Sequence, residues 1–354
     1  MSGQKIGIGI IGCGVIAEFH ANAVFSLSDE ADLIGVADVN PSAAESFAAR
    51  HGVRAFRSVE EMLACPAVDL VNICTPSGYH AEAAVQAAEA KKHILVEKPM
   101  AITLEQLDRI TEACDRNGVV LSAVSQNRFL RGVEMAKKAM DDRLLGRLVS
   151  ADIYMKYHRS ADYYASGAWR GTKAVDGGGA LMNQGIHGID LLLYLAGPVK
   201  RVSAFSKTLI HDIEVEDTLS AILEFECGAL GVVQATTSVY PGYPRRLELN
   251  GDRGTIVLNE GSIERWDILN ENREDVVVQP SFTGGSFATP TAISIDGHAR
   301  QIRDVIRAIK TGTKPLIDCR EGRKPVELIL AIYRSAEEGR PVELNGAKPE
   351  EDAV

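Results

Sequence analysis

The 354-residue sequence lacks the features that mark secreted, metal-bound and membrane-spanning proteins. Its six cysteines form no C-x-x-C pair and have no histidine at metal-ligand spacing, so we expect reduced thiols in a cytoplasmic protein. No apolar run approaches the ~20 residues of a membrane span, and only Lys5 precedes the apolar N-terminal stretch. We therefore expect neither a secretory signal nor a membrane partner.

The sequence also lacks an excess of positive charge. Asp and Glu total 48 against 38 Lys and Arg, and the formal net charge is −10. No basic stripe is present that could neutralise a phosphate backbone, so nucleic acid is not an expected partner. The hydrophobic share of 45% is ordinary for a globular protein, and the length favours two domains.

Hydrophobic patterning differs between the first third of the chain and the rest. Up to about residue 126, short apolar runs alternate with helical patterns, which is typical of βαβ units in a parallel sheet. Segments from "RLVSADIYMKYH" to "GTIVLN" instead alternate with period two, which predicts a mostly antiparallel sheet. Helical spacing returns after residue 297, and the polar tail 346–354 is expected to fray.

The first strand-to-helix turn carries a dinucleotide-binding pattern. In "GIIGCGVIA", Gly12, Gly14 and Ala17 occupy the three positions of G-x-G-x-x-G/A, and Val15 and Ile16 lie between them. The first glycine permits the tight turn, the second lets the backbone approach a pyrophosphate, and the alanine allows close helix packing. A glycine-rich turn that binds nothing is the alternative, but the strand before it and the helix after it favour a cofactor site.

The second predicted strand ends at Asp38, roughly 20 positions further on, where an acidic residue can hold the adenosine ribose. A helix cap is the alternative role, but Asn40 before Pro41 already supplies that signal, and Gly52 supplies the stop. The Asp38 carboxylate would repel a 2′-phosphate and no arginine follows directly. We therefore favour NAD over NADP.

The segment "HILVEKP" ends an apolar strand pattern with Glu97, Lys98 and Pro99. Open α/β sheets bind ligands at the carboxyl ends of their strands, so Glu97 and Lys98 are expected to point toward the cofactor crevice. A solvated ion pair at a strand end, with the proline merely stopping the strand, is the alternative.

A second chemistry-bearing segment is "DGGGALMNQGIHGIDLLLYLAG", which predicts a helix after three glycines. Asn183 and His187 lie four positions apart, so a regular helix would put them on one face, offset by roughly 40°. His187 is either a hydrogen-bonded core histidine or an acid/base group. A metal site through His187 and Asp190 would need ligands that the local sequence lacks, so no metal is expected.

These motifs, together with "NICTPSGYH" and "WRGTK", resemble the family of glucose–fructose oxidoreductases and inositol dehydrogenases (Gfo/Idh/MocA) over nearly the whole chain. The resemblance implies an α/β protein with a Rossmann NAD(P)-binding domain over residues 1–126. It implies a C-terminal α+β domain over residues 127–354, with a large open, mostly antiparallel sheet for substrate binding and oligomerisation, whose terminal helices are able to pack back on the first domain.

The resemblance also implies an NAD(P)-dependent dehydrogenase. Such an enzyme transfers a hydride between nicotinamide and a ring secondary alcohol of a sugar, a sugar derivative such as a nucleotide-sugar uronate, or a cyclitol. Lys98 would stabilise negative charge on the substrate oxygen, with the Lys98–Pro99 bond in cis; His187 would take the hydroxyl proton and Glu97 would fix the lysine. The implied cofactor-binding residues are Gly12, Gly14, Val15, Ile16, Ala17, Asp38, Thr75, Pro76, His80, Glu97 and Lys98.

The substrate side of the site departs from the family pattern at one position. Many members carry Asp where this chain has Asn183, which cannot act as a base, so we expect Asn183 to be a hydrogen-bonding substrate contact. This variant resembles the branch that includes nucleotide-sugar uronate 3-dehydrogenases, which directs attention to arginines and aromatic residues. The substrate-binding candidates are Lys98, Asn127, Arg128, Tyr157, Arg159, Trp169, Arg170, Asn183 and His187, with Tyr164, Arg245 and Arg246 as further candidates.

Two other functions stay open from the sequence. One is a catalytically silent, dinucleotide-sensing regulatory protein of the same fold, and the other is an NADP-linked lyase or reductase of a non-sugar carbonyl. Retention of both Lys98 and His187 favours the dehydrogenase. Alternating apolar segments such as "ALGVVQATTSV" predict an exposed apolar sheet face, and hence a homodimer or homotetramer built across the C-terminal sheet.

Overall fold

The structure is a computed structural model that describes residues 4–270 and 295–344. The described residues form two compact units. Unit 1 contains residues 4–129, 172–177 and 295–326, and unit 2 contains residues 130–171, 178–270 and 327–344. The domain boundary at residue 126 stays a prediction, and the tail predicted to fray lies outside the described residues.

Strands and helices alternate through the first part of the chain and separate in the second. The strands are β1 Ile6–Ile11, β2 Ala31–Ala37, β3 Arg54–Ala55, β4 Leu70–Ile73, β5 His93–Val96, β6 Leu121–Ala123, β7 Leu148–Lys156, β8 Val199–Lys207, β9 Thr218–Phe225, β10 Leu230–Thr236, β11 Arg246–Gly251, β12 Gly254–Asn259, β13 Ser262–Ile268 and β14 Val342–Glu343. The helices are α1 Val15–Phe25, α2 Pro41–His51, α3 Val59–Leu63, α4 His80–Glu89, α5 Leu104–Asn117, α6 Arg131–Asp141, α7 Ala161–Ala165, α8 Ile186–Ala196, α9 Asp296–Thr311 and α10 Cys319–Glu338. Among the described residues, no helix combines the length and apolar character needed to cross a membrane.

Unit 1 is built on a six-stranded sheet in the order β3-β2-β1-β4-β5-β6. Its neighbouring strands all pair in parallel. All six residues of β1 are buried, as expected for a parallel strand covered on both faces. The strand order is that of the Rossmann fold and reverses direction at β1 and β4, so the predicted parallel α/β architecture is confirmed.

Local capping signals place α2 as predicted. The Asn40 side chain accepts the backbone N–H of Ser42, Pro41 opens the helix, and Gly52 ends it at a φ of 67°. A positive φ of this size favours glycine because it has no Cβ. This helix starts at Pro41, three positions after Asp38, which directly follows β2.

Helix α9 completes the core of unit 1 although it comes late in the chain. Ile302, Val305 and Ile306 share one apolar cluster with Ala23 and Val24 of α1. Next to them, the Gln301 side chain accepts the Ser125 N–H at 3.0 Å and donates to the Ala123 carbonyl at 2.7 Å. These contacts fix α9 beside the carboxyl end of β6.

Unit 2 contains an eight-stranded sheet in the order β13-β12-β11-β7-β10-β9-β8-β14. Strands β7 and β10 pair in parallel, and the other neighbouring pairs are antiparallel. The predicted mostly antiparallel sheet is therefore confirmed. Strand β13 was not predicted, because Ile263 is its one buried side chain and no period-two apolar pattern arises.

The glycine-rich segment differs from the regular helix that the sequence predicted. Ala180–Gly185 forms a π-helical turn, and the α-helix α8 begins only at Ile186. The expected 40° offset between Asn183 and His187 assumed α-helical geometry at both residues. It does not hold, because Asn183 lies in the wider turn and His187 in the first turn of α8.

Candidate active site

The turn after β1 requires glycine for two separate reasons. Gly12 has a φ of 94°, and a Cβ there would lie 2.8 Å from the backbone carbonyl of Cys74. Its N–H donates to the Ala37 carbonyl at 2.8 Å, which ties the turn to the end of β2. The turn can therefore pass closely over the ends of β2 and β4.

The second glycine leaves open space where a ligand can approach the helix. Gly14 is the N-cap of α1 without a side-chain cap, and a Cβ built on it would have no atom within 4 Å. Val15 is 61% exposed and Ile16 is half-buried, whereas Ala17 is buried in the core behind the turn. Open space before uncapped N–H groups at a helix N-terminus fits a pyrophosphate, so these residues suit a bound dinucleotide.

Asp38 connects the glycine turn to α2. Its Oδ2 accepts the Cys13 N–H at 2.7 Å, and its Oδ1 accepts the Asn40 N–H at 2.8 Å. Each carboxylate oxygen has a second lone pair, so the group can still accept a ribose hydroxyl. The sequence pattern predicts the carboxylate as a ribose contact but does not indicate its hydrogen bond to the turn.

The residues after β4 and β5 are joined by a buried histidine. Thr75 and Pro76 are half-buried, and the His80 ring lies with Nε2 at 2.8 Å from the Thr75 carbonyl and Nδ1 at 2.7 Å from the Pro99 carbonyl. Burial lowers the pKa of His80 despite these contacts, so the neutral ring donates to one carbonyl at a time. His80 therefore positions two backbone segments at the carboxyl edge of the sheet.

Lys98 is the second residue after the end of β5. The Lys98–Pro99 bond is cis, as the resemblance implied, and the lysine is half-buried. The Lys98 N–H donates to Glu97 Oε2 at 3.1 Å, while Glu97 Oε1 lies 2.9 Å from His20 Nε2. Burial alone would raise the pKa of Glu97, but the hydrogen bond from His20 and nearby positive groups hold it well below its usual range.

Three buried residues around Glu97 were missed by the sequence analysis. His20 comes from α1, Asn72 from β4 and His298 from α9, and none is more than 2% exposed. The ligand atoms of His20, Glu97 and His298 lie within 4.8 Å of one another, which makes them a candidate metal group in the described part of the chain. In the sequence, His20 could have been recognised as a polar residue on the otherwise apolar, alanine-rich face of α1 that is buried.

In unit 2, a buried carboxylate holds the start of the glycine-rich segment. Glu216 accepts the N–H groups of Gly179 and Leu181 at 2.9 and 2.8 Å, and the Tyr333 hydroxyl donates to it at 2.8 Å. Burial raises the pKa of Glu216 in spite of these donors. His187 is half-buried and lies six residues after Leu181, in the first turn of α8.

Two arginines of unit 2 converge on Tyr163, which the sequence analysis did not select. The Arg170 guanidinium lies 4.4 Å from the Tyr163 ring centroid and that of Arg159 lies 5.5 Å from it. Arg170 also donates to the Tyr163 hydroxyl at 2.7 Å and stacks 4.6 Å from Trp169. Arg159 is 4% exposed and donates to Gln184 Oε1 at 2.6 Å.

The same cluster includes other predicted substrate residues. Asn183 Oδ1 accepts from the Gln184 amide at 2.9 Å. Tyr157 is buried with its ring 5.8 Å from the Arg159 guanidinium. The hydroxyl of Tyr164 lies 2.9 Å from Thr237 Oγ1. Unit 2 thus brings together several candidates from separate sequence segments.

The remaining candidates have partners of their own. Arg128 is 1% exposed and pairs with Glu321 at 2.9 Å, and Asn127 is half-buried beside it in the same short turn, Gln126–Phe129. Arg245 is buried and pairs with Glu260, and Arg246 pairs with Glu248 and Glu264 on the sheet. Their assignment to substrate stays a prediction, and these ion pairs give it no added support.

The sequence matches two family descriptions in succession. Residues 6–125 match the GFO/IDH/MocA oxidoreductase family with an NAD-binding Rossmann fold, and residues 133–257 match the GFO/IDH/MocA C-terminal domain. The matched ranges contain Gly12, Gly14, Asp38, Lys98 and His187. The N-terminal and the C-terminal domain that the sequence predicted therefore each match a domain of this family.

Individual relatives agree with this assignment. The chain is 28% identical to myo-inositol 2-dehydrogenase of Thermotoga maritima over 95% of this chain and 98% of that one. It is 30% identical to levoglucosan dehydrogenase of Pseudarthrobacter phenanthrenivorans over 75% and 76%. The solved structure of the WlbA dehydrogenase from Bordetella pertussis, in complex with NADH and UDP-GlcNAcA, is 34% identical with a TM-score of 0.87 and coverage of 97% and 99%. The chain belongs to the GFO/IDH/MocA family of NAD-binding oxidoreductases.

Proposed function

We propose that this protein is an NAD-dependent dehydrogenase acting on a ring secondary alcohol of a sugar, sugar derivative or cyclitol. The observation that carries the proposal is the shared carboxyl edge of the parallel sheet in unit 1. Gly12, Asp38, Thr75 and Lys98 follow β1, β2, β4 and β5 at that edge. Elements suited to phosphate, ribose and a reacting oxygen therefore lie side by side.

The cofactor side rests on residues whose geometry suits NAD. The N–H groups before α1 face the open space at Gly14, and the Asp38 carboxylate, placed for the ribose hydroxyls, would repel a 2′-phosphate. When bound, NAD supplies the hydride acceptor. The protein's part is to hold the pyrophosphate and ribose and to keep the reacting edge of the sheet fixed.

The substrate chemistry is assigned to two side chains. The Lys98 ammonium stabilises negative charge that develops on the substrate oxygen, and His187 Nδ1 or Nε2 takes the hydroxyl proton. The ordered backbone on each side of Lys98, held by Glu97 and His80, supports a fixed position for the ammonium. Anchoring of the glycine-rich turn by Glu216 supports a fixed position for His187.

An anionic substrate is favoured by the two arginines around Tyr163. Burial lowers the pKa of Arg159, which means that its charge is costly where it lies, and a second guanidinium on the same ring adds repulsion. A substrate carboxylate would offset both effects. The 34% identity to a dehydrogenase solved with UDP-GlcNAcA supports a nucleotide-sugar uronate as the first compound to test.

The test follows NADH formation with NAD and a panel of inositols, free aldoses, uronates and nucleotide-sugar uronates. We expect turnover of at least one ring alcohol, with kcat falling about 100-fold or more in Lys98→Met and His187→Ala. Lys138→Met, a change at an exposed lysine of α6, is the matched control and should retain wild-type turnover. NAD binding without reaction of any panel member would support the alternative of a dinucleotide-sensing regulatory protein. A faster reaction with NADPH and a non-sugar carbonyl would support the alternative of an NADP-linked reductase.

The anionic preference has its own test. Arg170→Gln should raise KM for a uronate about tenfold while changing KM for a neutral sugar less than about twofold. Arg201→Gln, which removes an exposed arginine paired with Glu224, is the control. Equal effects of Arg170→Gln on charged and neutral substrates would contradict the carboxylate assignment.

We also propose that a second copy of the chain covers one face of the unit 2 sheet. Phe205, Ile222 and Leu230 lie on the same face of β8, β9 and β10 and are 77%, 62% and 57% exposed. Light scattering should report a dimer or tetramer, and the double change Phe205→Lys with Ile222→Lys should reduce the mass to a monomer. The control is Leu104→Lys on α5; a monomeric wild type would contradict the proposal.

The cellular location is proposed from the thiols. All six cysteines lie in the described part of the chain and are free. Burial raises the pKa of Cys13 and of Cys114 to about 12, so neither forms a reactive thiolate near neutral pH. Free thiols of this kind support a cytoplasmic protein, which localisation of a tagged chain would test.

A further inference from the structure

A buried group of polar side chains in unit 1 joins Glu97 to three residues that have no role in the chemistry described so far. It consists of His20, Asn72, Glu97 and His298, which come from α1, β4, the end of β5 and α9. Glu97 is 4% exposed and the other three are 2% exposed or less. Burying polar side chains is costly unless they are paired, and here His20 contacts both Glu97 and Asn72.

We propose that His20 and His298 are positioning residues that fix Lys98 through the Glu97 carboxylate. This inference rests on the proposed role of Lys98. Glu97 uses its two oxygens in opposite directions: Oε1 lies 2.9 Å from His20 Nε2, and Oε2 accepts the Lys98 N–H at 3.1 Å. The carboxylate therefore links a helix in the core to the backbone that carries the lysine.

His298 supports the same carboxylate from a third direction. Its Nε2 lies 3.9 Å from Glu97 Oε1, and its ring packs edge-on against His20 with centroids 5.4 Å apart. The Phe19 and His298 ring centroids lie 6.3 Å apart. The His20 ring is thus confined between the carboxylate, the Asn72 amide and the His298 ring, and cannot turn without breaking these contacts.

The hydrogen on His20 is assigned by its neighbours. An ionised carboxylate can only accept, so Nε2 of His20 carries the hydrogen that it shares with Glu97. The Asn72 amide lies 3.0 Å from Nδ1, which secures the other edge of the ring. A metal ion at this group would need the Nε2 lone pair, so the hydrogen-bonded arrangement and a metal site at the three ligand atoms are alternatives that metal analysis distinguishes.

The consequence for the reaction is geometric. An ammonium that stabilises a developing charge must be placed closely, since a displacement of about 1 Å can cost roughly 100-fold in rate. Lys98 is the second residue after β5 and its side chain is long. The hydrogen bond from the Lys98 N–H to Glu97 restricts the position of the Lys98 Cα, from which the side chain extends.

The test uses the full chain with and without NAD, and reads Lys98 directly. Carbon-13 methylation of lysines gives NMR signals, and the Lys98 signal is the one missing from Lys98→Met. We expect His20→Leu to shift that signal and lower kcat about tenfold, with the NAD Kd within about threefold of wild type. His20→Gln keeps an N–H that can reach Glu97 and should restore both the signal and kcat.

A matched control separates positioning from general stability. His51 at the end of α2 donates to Glu18 of α1 at 2.7 Å, a second histidine–glutamate pair in the same unit. His51→Leu should lower the melting temperature but leave the Lys98 signal and kcat unchanged. His298→Leu is a second variant for the case in which His20→Leu does not fold, with a smaller shift in the same direction.

Three outcomes would overturn the inference. They are an unchanged Lys98 signal in folded His20→Leu and His298→Leu, equal shifts in the His51→Leu control, or a stoichiometric metal ion bound at the histidines. Because the NMR signal needs no turnover, failure of the substrate panel would count against the proposed function and leave this result standing.

Discussion

The clearest test of the cofactor site is the substitution Gly14→Ala. In the folded protein Gly14 has a φ of −76° and a ψ of −172°, which alanine adopts freely, and its Cβ would meet no atom within 4 Å. Loss of chain entropy in the unfolded state stabilises the variant by about 0.4–1 kcal/mol, while alanine is a poorer N-cap by a similar amount. The free energy of unfolding should therefore change by less than about 1 kcal/mol.

Cofactor affinity should respond quite differently. The added methyl group occupies the space through which the pyrophosphate approaches the backbone, so we expect the NAD Kd to rise about tenfold or more, which is about 1.4 kcal/mol. Calorimetric titration with NAD and a thermal melt of the same sample measure both quantities. The two effects are separable because only the bound state contains the phosphate.

Gly52→Ala is the matched control. Gly52 also has open space around its Cβ, but its φ is 67°, so alanine there costs about 1–2 kcal/mol of stability. It lies at the far end of α2, so NAD affinity should not change. A folded Gly14→Ala protein that binds NAD as wild type does would refute the proposed approach of the phosphate.

Two further predictions concern buried carboxylates. The folded pKa of Glu97 lies below its ordinary value of 4.5, so its contribution to stability is present above about pH 4.5 and is lost as the pH falls below it. The melting temperature of Glu97→Gln should therefore fall furthest below wild type at neutral pH, with the gap narrowing in acid; a gap that does not depend on pH would contradict this. Tyr333→Phe removes a hydrogen bond to Glu216 and should cost about 1–3 kcal/mol in denaturant unfolding, while an unchanged midpoint would show that water replaces the hydroxyl.

The sequence predicted correctly those structural features whose physical cause lies within a few neighbouring residues. The cap of α2 depends on Asn40, Pro41 and Gly52, all within or beside one helix, and the structure has each in the expected role. The turn at Gly12 depends on backbone sterics that a G-x-G pattern encodes directly. Such features need no knowledge of the rest of the fold.

Features that depend on distant partners could not be read from the chain in this way. Nothing near Glu97 in sequence indicates that His20, 77 residues earlier, would contact it, or that α9 would bring His298 to the same carboxylate. The start of the π-helical turn before α8 likewise has a distant partner. The Glu216 side chain, 35 residues after Leu181, accepts the N–H groups of Gly179 and Leu181. Periodicity describes which face is buried, but not which polar groups meet there.

The late position of α9 has a consequence for how the protein is made. Ala23 and Val24 emerge early from the ribosome, whereas Ile302 and Val305, which cover them, lie at the far end of the chain. At roughly 5–20 residues per second, this leaves an apolar surface of α1 uncovered for about ten seconds or more after β6 is complete. We expect a chain released after residue 126 to be a client of chaperones rather than a free-standing cofactor-binding module, which limits its use in building domain chimaeras.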